Sequence, residues 1–252
     1  MTISFQPANA KLEVLEKATG KKLYAVSLLS GWTCPFAEDC LSKVRTIGGK
    51  RKLVDGPKTQ FRCFSASQEV QYTNVFNDRL ANSLELRGLS RAELFEQIMD
   101  SLPDNAEIVR IHVAGDFFNP NYFLAWLDVA NECPDVIFYA YTKSLTYWVD
   151  NKDYVDETPN FVLTASYGGR RDDLIEKHSL RYAKVVFSVE EAKTLGLEID
   201  HDDSHAMHPH LQDDSFALLI HGIQPKDSEA SQAVKLLKGK GSYSRKKNRK
   251  AK

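Results

Sequence analysis

Three of the four cysteines lie close together in the sequence, and their spacing is the first sign of chemistry. Cys34 is followed by Cys40 after five intervening residues and by Cys63 after 22 more, whereas Cys133 stands alone. Thiolates are soft ligands that favour zinc, copper(I) and iron–sulfur clusters. A structural zinc site normally has four ligands in paired CxxC-type knuckles. Three cysteines on one irregular loop therefore favour a [4Fe–4S] cluster with one iron open to an exogenous ligand. Zinc, or three cysteines that bind no metal, are the alternatives.

A second group of candidate ligands lies in residues 198–210, where acids and histidines alternate. Asp202, Asp203, His205 and His208 could serve a metal-dependent hydrolase, because carboxylates and imidazoles bind iron or zinc and transfer protons. We expect His205 to be a catalytic residue. The segment has little apolar periodicity, so a solvated polar loop is the alternative. We favour that alternative for His208 and for the histidine that follows it.

Two further polar segments follow predicted strands. Lys143 comes directly after the third strand and could bind a carboxylate or phosphate group, although an ordinary lysine at a strand end is the alternative. After the fourth strand, Gly168 and Gly169 could bind an anion through their backbone N–H groups. That segment is too short to count as a phosphate-loop motif.

Six short apolar runs rich in β-branched and aromatic residues predict the strands that must position these groups. They cover residues 22–29, 108–114, 136–141, 161–165, 184–188 and 216–221. Helical patterns lie between and after them at residues 67–87, 90–102, 121–132, 190–195 and 230–237. Alternating strands and helices predict βαβ units and a mainly parallel α/β sheet. Periodicity alone permits either an open doubly wound sheet or a partial barrel.

Parallel strands bring the loops that follow them to one edge of the sheet. We therefore expect Cys34, Asp116, Lys143 and Ser166 to lie at the same edge. The loops at this edge would form the wall of a cofactor site, with Gly168 contributing alongside Ser166 and with Asp116 and Lys143 as catalytic candidates. The remaining cysteine ends a helix that leads to the opposite edge, so we expect it to bind no cluster.

Composition excludes several classes of protein. The 252 residues are 42% hydrophobic and 27% charged, as in globular proteins. No apolar run approaches the ~20 residues that span a bilayer, and the first residues lack the regions of a signal peptide. We expect a cytoplasmic protein without disulfides and without membrane contact. Residues 1–237 would form a single domain, with the cysteine cluster loop at residues 31–63.

The net charge of −1 hides an asymmetry along the chain. Residues 235–252 hold nine of the 33 basic side chains and no acidic one, which leaves 24 basic against 34 acidic residues elsewhere. A basic flexible tail, residues 238–252, could contact phosphates. A nucleic-acid-binding protein with a structural metal site is therefore an alternative function. For the tail itself, a solvated terminus is the alternative.

Eight segments together resemble a known family. They are GWTCPFAEDC, DGPKTQFRCFSASQE, VRIHVAGDFFNPNYFLAWLDVA, PDVIFYAYTKSL, NFVLTASYGG, KVVFSVEEA, LEIDHDDSHA and FALLIHGIQP. From about Leu23 to Leu237 the chain resembles the gene product 88 family of phage and bacterial proteins. The resemblance implies a location in the cytoplasm of the bacterial host if the protein is phage-encoded. The resemblance indicates a family, but it implies no particular activity.

The expected architecture is also similar to that of radical S-adenosylmethionine (SAM) enzymes, which combine a partial (βα)6 barrel with a three-cysteine loop after the first strand. The resemblance implies that Cys34, Cys40 and Cys63 bind the cluster. It also implies that Gly115 and Asp116 stand where a Gly-Gly-Glu motif contacts the SAM amino group. The sequence departs from the usual Cys-x3-Cys-x2-Cys spacing, because the third cysteine lies 23 positions beyond the second, and Asp replaces Glu.

Overall fold

The runs expected to be strands form one mostly parallel sheet. The computed structural model describes residues 2–208 and 214–237. In this part of the chain the sheet has eight strands, numbered along the sequence. In spatial order they are β1 (Gln6–Pro7), β2 (Leu23–Val26), β5 (Ile108–Ile111), β6 (Ile137–Thr142), β7 (Phe161–Ser166), β8 (Tyr182–Val186), β10 (Phe216–Leu219) and β9 (Glu198–Ile199). β1 pairs antiparallel with β2, and the other pairings are parallel. The predicted α/β class with mainly parallel strands is confirmed.

All six predicted strands are present, and they are neighbours in chain order. β2, β5, β6, β7, β8 and β10 lie side by side, and from β2 to β8 each crossover adds the next strand on the same side of the previous one. β9 precedes β10 in the chain but lies beyond it at the edge of the sheet. Because parallel crossovers share one hand, consecutive crossovers of this kind place their helices on one face of the sheet. The predicted tail, residues 238–252, lies outside the described residues.

Helices connect the strands of the sheet. They are α1 (Leu12–Thr19), α2 (Phe64–Gln71), α3 (Thr73–Glu85), α4 (Arg91–Met99), α5 (Pro120–Glu132), α6 (Leu145–Asp150), α7 (Lys152–Asp156), α8 (Asp173–Lys177), α9 (Val189–Thr194), α10 (Ser204–Met207) and α11 (Glu229–Leu236). The long helix predicted at residues 67–87 is interrupted by the extended backbone of Tyr72, which separates α2 from α3. Within the described residues, no helix is both long and apolar enough to cross a membrane.

Local capping explains where several helices begin. Ser90 and Glu93 form a capping box at the start of α4, in which each side chain binds the backbone N–H of the other residue. The Asn119 side chain accepts a hydrogen bond from the N–H of Tyr122, and Pro120 occupies the first position of α5. Both of these helices bury residues in the same hydrophobic core.

The two faces of the sheet bury different cores. The larger core contains Phe123 and Trp126 of α5 together with Phe138 of β6. The smaller core lies on the opposite face, because Tyr139 follows Phe138 and adjacent strand residues alternate in direction. It joins Leu23 of the first parallel strand to Phe216 of the last, with α1 packed against them.

A separate two-stranded hairpin lies between the second and third cysteines. β3 (Ser42–Ile47) and β4 (Lys50–Asp55) pair antiparallel through a loop of Gly48 and Gly49, both with positive φ. Two-residue loops of this kind need the backbone conformations that glycine adopts without strain. The interpretation of this whole segment as an irregular loop is therefore wrong. Its strands carry many charges and lack the apolar alternation by which strands are predicted.

Candidate functional site

The segments at the carboxyl edge of the sheet enclose a cavity of about 690 Å³. Because β2, β5, β6 and β7 are parallel, the segments that follow them meet at this edge. Residues that line the cavity include Cys40, Cys63, Arg110, Tyr141, Lys143, Ser166, Asp200, His201, Asp203 and His221. Cys40 and Cys63 therefore share one cavity with Asp200, His201 and Asp203 of the acid–histidine segment, whereas Cys34 does not line it.

Cys34, Cys40 and Cys63 are half-buried residues, and they are close enough for their charges to interact. The Cys34 Sγ accepts a hydrogen bond from the Gly31 N–H at 3.3 Å. Loss of water around the thiol raises the pKa of Cys34 well above its ordinary value, and Asp116 and the neighbouring thiols raise it further. The three predicted ligands are therefore together, and burial favours the protonated form of Cys34.

Cys133 occupies a different place. It follows the last residue of α5, and its Sγ lies 3.9 Å from the Met99 Sδ in the larger core. The chain continues from there into the amino end of β6. The structure therefore places Cys133 at the opposite edge of the sheet from the other three cysteines.

Lys143 places a positive charge beside Cys40. Burial raises the pKa of Cys40 to about 11, and the Lys143 ammonium acts in the opposite direction. The Lys143 Nζ donates to the Ser166 carbonyl at 3.0 Å, the Ser166 hydroxyl at 2.6 Å and the Tyr167 carbonyl at 2.6 Å. These three acceptors match the three protons of the ammonium. Two predicted site residues, Lys143 and Ser166, thus form one fixed cationic group next to a thiol.

Asp116 is buried and binds the protein itself. Its Oδ1 accepts hydrogen bonds from the Phe117 N–H and the Thr142 hydroxyl, both at 2.7 Å, and its Oδ2 accepts one from the Lys143 N–H at 2.8 Å. Burial raises the pKa of the carboxyl to about 6 even though these hydrogen bonds lower it. The carboxylate ties the segment after β5 to the end of β6. This geometry favours a positioning role over the predicted contact with a SAM amino group.

Gly115 and Gly168 allow two close approaches around the cysteines. Both have a φ of +91°, a conformation that favours glycine. A Cβ on Gly115 would lie 2.6 Å from the Thr33 Oγ1, and a Cβ on Gly168 would lie 2.9 Å from the Asp39 Cβ. The Gly168 carbonyl also accepts a hydrogen bond from the Asp39 N–H at 3.0 Å. The two predicted cofactor-binding glycines thus hold the chain next to Cys34 and Cys40.

The predicted anion-binding loop already holds a carboxylate of the protein. The N–H groups of Gly168 and Gly169 donate to the two oxygens of Asp172 at 2.8 and 2.9 Å. These donors are therefore not open to an exogenous anion.

Cys63 is positioned by residues that the sequence did not single out. It precedes the first residue of α2. The adjacent Arg62 donates its backbone N–H to the Gln224 Oε1 at 2.7 Å, and its guanidinium binds Asp55 with a shortest distance of 2.8 Å. Gln224 follows β10, so the last strand and the hairpin together fix this part of the chain. The only sequence signal for Gln224 is its place after a predicted strand.

A buried ion pair supports the start of the cysteine loop. The Arg79 Nη1 lies 3.0 Å from the Glu69 Oε1, and the same oxygen accepts hydrogen bonds from the Ser30 N–H and hydroxyl at 3.0 and 2.7 Å. Ser30 comes directly before the loop, so α2 and α3 anchor it. Nothing in the sequence marks this pair, because the segment is predicted as one amphipathic helix.

Asp203 is the centre of a second buried network. Its carboxylate pairs with Arg110 of β5 and with Lys11, whose Nζ lies 2.5 Å from the Oδ1. The Tyr139 and Tyr141 hydroxyls lie 3.2 and 3.3 Å from its oxygens. Burial favours the neutral carboxyl, but Arg110 and Lys11 outweigh burial and lower the pKa of Asp203. A carboxylate held by two cations is poorly suited to bind a metal ion.

His205 contacts acids near the edge strand β9. Its Nε2 lies 3.3 Å from the Glu198 Oε2, and its Nδ1 lies 3.8 Å from the Asp200 Oδ1. The cavity wall receives His201 and His221 instead, and burial lowers the pKa of His221 to about 4. The sequence favoured His205 as the catalytic histidine, but His205 does not line the cavity.

Residues 2–208 and 214–237 contain no group of three or more His, Cys, Asp or Glu side chains placed to hold a metal ion, and this includes the three grouped cysteines. The predicted hydrolase set, which includes Asp202 and His208, belongs to this described part of the chain. His210 lies outside it. The structure therefore offers no support for a mononuclear hydrolase or zinc site there.

Fold and site together define a class: an α/β protein with a mostly parallel sheet, and with three thiols and a lysine at the carboxyl edge. The chain belongs to the Gene product 88 family, whose profile matches residues 2–239. The Gene 88 protein of Mycobacterium phage L5 is 50% identical over 40 residues, which cover 16% of this chain and 17% of the phage protein. No solved structure matches the chain. The family expected from the sequence segments is confirmed.

Proposed function

We propose that Cys34, Cys40 and Cys63 bind a [4Fe–4S] cluster beside the cavity, and that the protein is a redox or radical enzyme. The observation that carries the proposal is the grouping of these three thiols at the carboxyl edge, with the Lys143 ammonium next to one of them. Cys133, far from this edge, takes no part.

We propose a cluster and not a single ion because the thiols are grouped but no three side chains of the described residues are placed to hold one ion. Thiolates bind a cubane cluster through different iron atoms, so they surround a volume and do not converge on one point. Three ligands leave one iron for a ligand that enters through the cavity. The Gly31 N–H at the Cys34 sulfur and the Lys143 charge near Cys40 are contacts of the kind that stabilise anionic sulfur. When bound, the cluster would supply one-electron chemistry.

The contribution of the protein is to control the protonation of the thiols. Burial raises the pKa of Cys34 and Cys40, so both are protonated at neutral pH before metal binds. Cluster binding must then release protons, which couples loading to pH. Lys143 lowers the cost of forming the Cys40 thiolate, whereas the Asp116 charge increases the cost at Cys34. We expect loading to become more favourable as the pH rises.

We also propose that the sheet is a partial (βα)6 barrel of the radical-SAM type. The support is the chain-order arrangement of six parallel strands and the single core shared by Leu23 of β2 and Phe216 of β10. SAM would then be the exogenous ligand, received by cavity residues such as Arg110, Tyr141 and His201. The proposal places the protein in the reducing cytoplasm, where its four cysteines stay free.

Anaerobic reconstitution with iron and sulfide tests the cluster. We expect about four iron and four sulfide atoms per chain with visible absorption. Cys34→Ala, Cys40→Ala and Cys63→Ala should each lose the absorption, whereas the matched control Cys133→Ala should keep it. A full complement of iron and sulfide in the triple variant, or loss of absorption in the control alone, would refute the ligand assignment. Equilibrium dialysis of the reconstituted protein with SAM tests the exogenous ligand separately.

A further inference from the structure

One face of the β3–β4 hairpin is exposed and strongly basic. Side chains alternate along a strand, and the register pairs the residues of this face across the two strands. They are Lys43, Arg45, Ile47, Lys50, Lys52 and Val54. The other face contains the buried Val44 and packs on the protein. We call these six residues together with Trp32 the hairpin face.

Trp32 gives the hairpin face an aromatic surface with a fixed orientation. Its side chain is 50% exposed, and its indole N–H donates to the Val44 carbonyl at 3.0 Å. The Lys43 Nζ lies 4.7 Å from the ring centroid, and the Arg45 guanidinium carbon lies 5.5 Å away. An exposed ring flanked by two cations combines the two elements of a surface that stacks a base and binds its phosphate.

Two positive side chains lie opposite each other on the hairpin face and repel. Arg45 lies directly opposite Lys52, and like charges in such pairs destabilise a sheet. The one carboxylate of the hairpin strands, Asp55, binds Arg62. An anionic partner would relieve this repulsion.

We propose that the hairpin face binds single-stranded nucleic acid, with phosphates on its four cations and a base stacked on Trp32. Strands of six residues span about 20 Å, which accommodates a few nucleotides. The stacking ring favours nucleic acid over an acidic protein or a lipid surface. The hairpin lies between Cys40 and Cys63 in the sequence, and both of these cysteines line the cavity. Binding needs no cluster, so the protein without iron tests it independently of the proposed function.

Tryptophan fluorescence of the full chain tests the proposal with oligodeoxythymidylate as the probe. Trp126 and Trp148 are 0% and 7% exposed, so saturable quenching reports stacking on Trp32.

Anisotropy of a labelled oligonucleotide should show that Trp32→Ala weakens binding roughly 5- to 150-fold. Arg45→Gln/Lys52→Gln should reduce the slope of log K against log salt by about 1.4. The same double variant should melt no lower than the parent, because it removes a repulsion.

The control variant Lys177→Gln/Lys193→Gln removes the same charge from two exposed helical positions and should leave the slope unchanged. Protection of Lys50 and Lys52 from acetylation by the bound probe, measured on the unaltered protein, tests the contact without any substitution. Four results would overturn the proposal: absence of quenching, equal slopes in hairpin and control variants, equal affinity for duplex DNA, or equal affinity for polyglutamate or anionic vesicles. Equal slopes would assign the binding to residues 238–252, which every variant retains.

Discussion

Replacing Asp203 by Asn tests the buried network of ion pairs and hydrogen bonds around this carboxylate. The substitution keeps the size of the side chain and removes its charge. It adds little backbone strain, because Asp203 has a φ of 70° and Asn tolerates positive φ better than most residues. The substitution removes the negative charge that pairs with Arg110 and Lys11, whose side chains are only 15% and 14% exposed.

The expected loss follows from burial. Removing one partner of a buried ion pair costs about 3–5 kcal/mol, because a charge is left without its counter-charge in a poorly hydrated place. For a chain of 252 residues, each kcal/mol shifts the Tm by about 2–4 °C, so we expect a decrease of roughly 6–20 °C. Asp203→Asn/Lys11→Met should recover part of this decrease, since it also removes one of the two cations.

The loss should depend on pH in one direction. Because the folded-state pKa of Asp203 lies below its ordinary value, its stabilising effect is complete above the unfolded pKa of about 3.9 and is lost as the pH falls through the folded pKa. The difference in Tm between parent and Asn variant should therefore be largest near neutral pH and shrink in acid.

Thermal melts followed by circular dichroism across this pH range provide the measurement. The control is Asp173→Asn, which breaks the exposed pair with Arg171 and should change the Tm little. Equal decreases for Asp203→Asn and the control, or a decrease that does not change with pH, would refute the interpretation of Asp203 as a buried charged hub.

Two further substitutions test the surroundings of the thiols. Gly168→Ala should lower stability by about 1–3 kcal/mol, because the new Cβ meets Asp39 at a positive φ. Gly20→Ala, with a φ of +68° and no atom within 4 Å, should cost less, and equal losses in urea unfolding would contradict the close approach. Lys143→Met should raise the pH at which iodoacetamide alkylates Cys40 in the iron-free protein, since the ammonium lowers the pKa of that thiol. An unchanged alkylation profile, read by mass spectrometry, would contradict this influence.

The central strands could be predicted because burial on both faces leaves a continuous apolar run. β7 is an example, since five of its six residues are buried. The hairpin could not be predicted by the same rule, because β4 alternates between exposed and half-buried residues of which four are charged. The Gly48–Gly49 pair was a usable signal, since two-residue loops of this composition favour hairpins.

The sequence predicted only those parts of the candidate site that lie at the ends of strands. Lys143 and Ser166 could be placed at one edge because each lies at the end of a parallel strand. The contact between Lys11 and Asp203 joins residues 192 positions apart, and no local pattern encodes it. Sequence periodicity reports which face is buried, but the pairing of buried charges depends on how distant elements pack.

Asp116, which the sequence matched to a ligand-binding motif, accepts hydrogen bonds from the backbone of the protein itself, and the length of its side chain explains this. Asp116 is one methylene shorter than the Glu of the motif, so its carboxylate stays near its own backbone and accepts the Phe117 N–H. Its other oxygen binds the N–H of Lys143, whose ammonium in turn is held by β7 and acts on Cys40. Asp116 therefore fixes the backbone of Lys143, and its own charge also raises the pKa of Cys34 and Cys40 directly. The cavity is lined by other side chains, among them Arg110, and Asp116 does not line it.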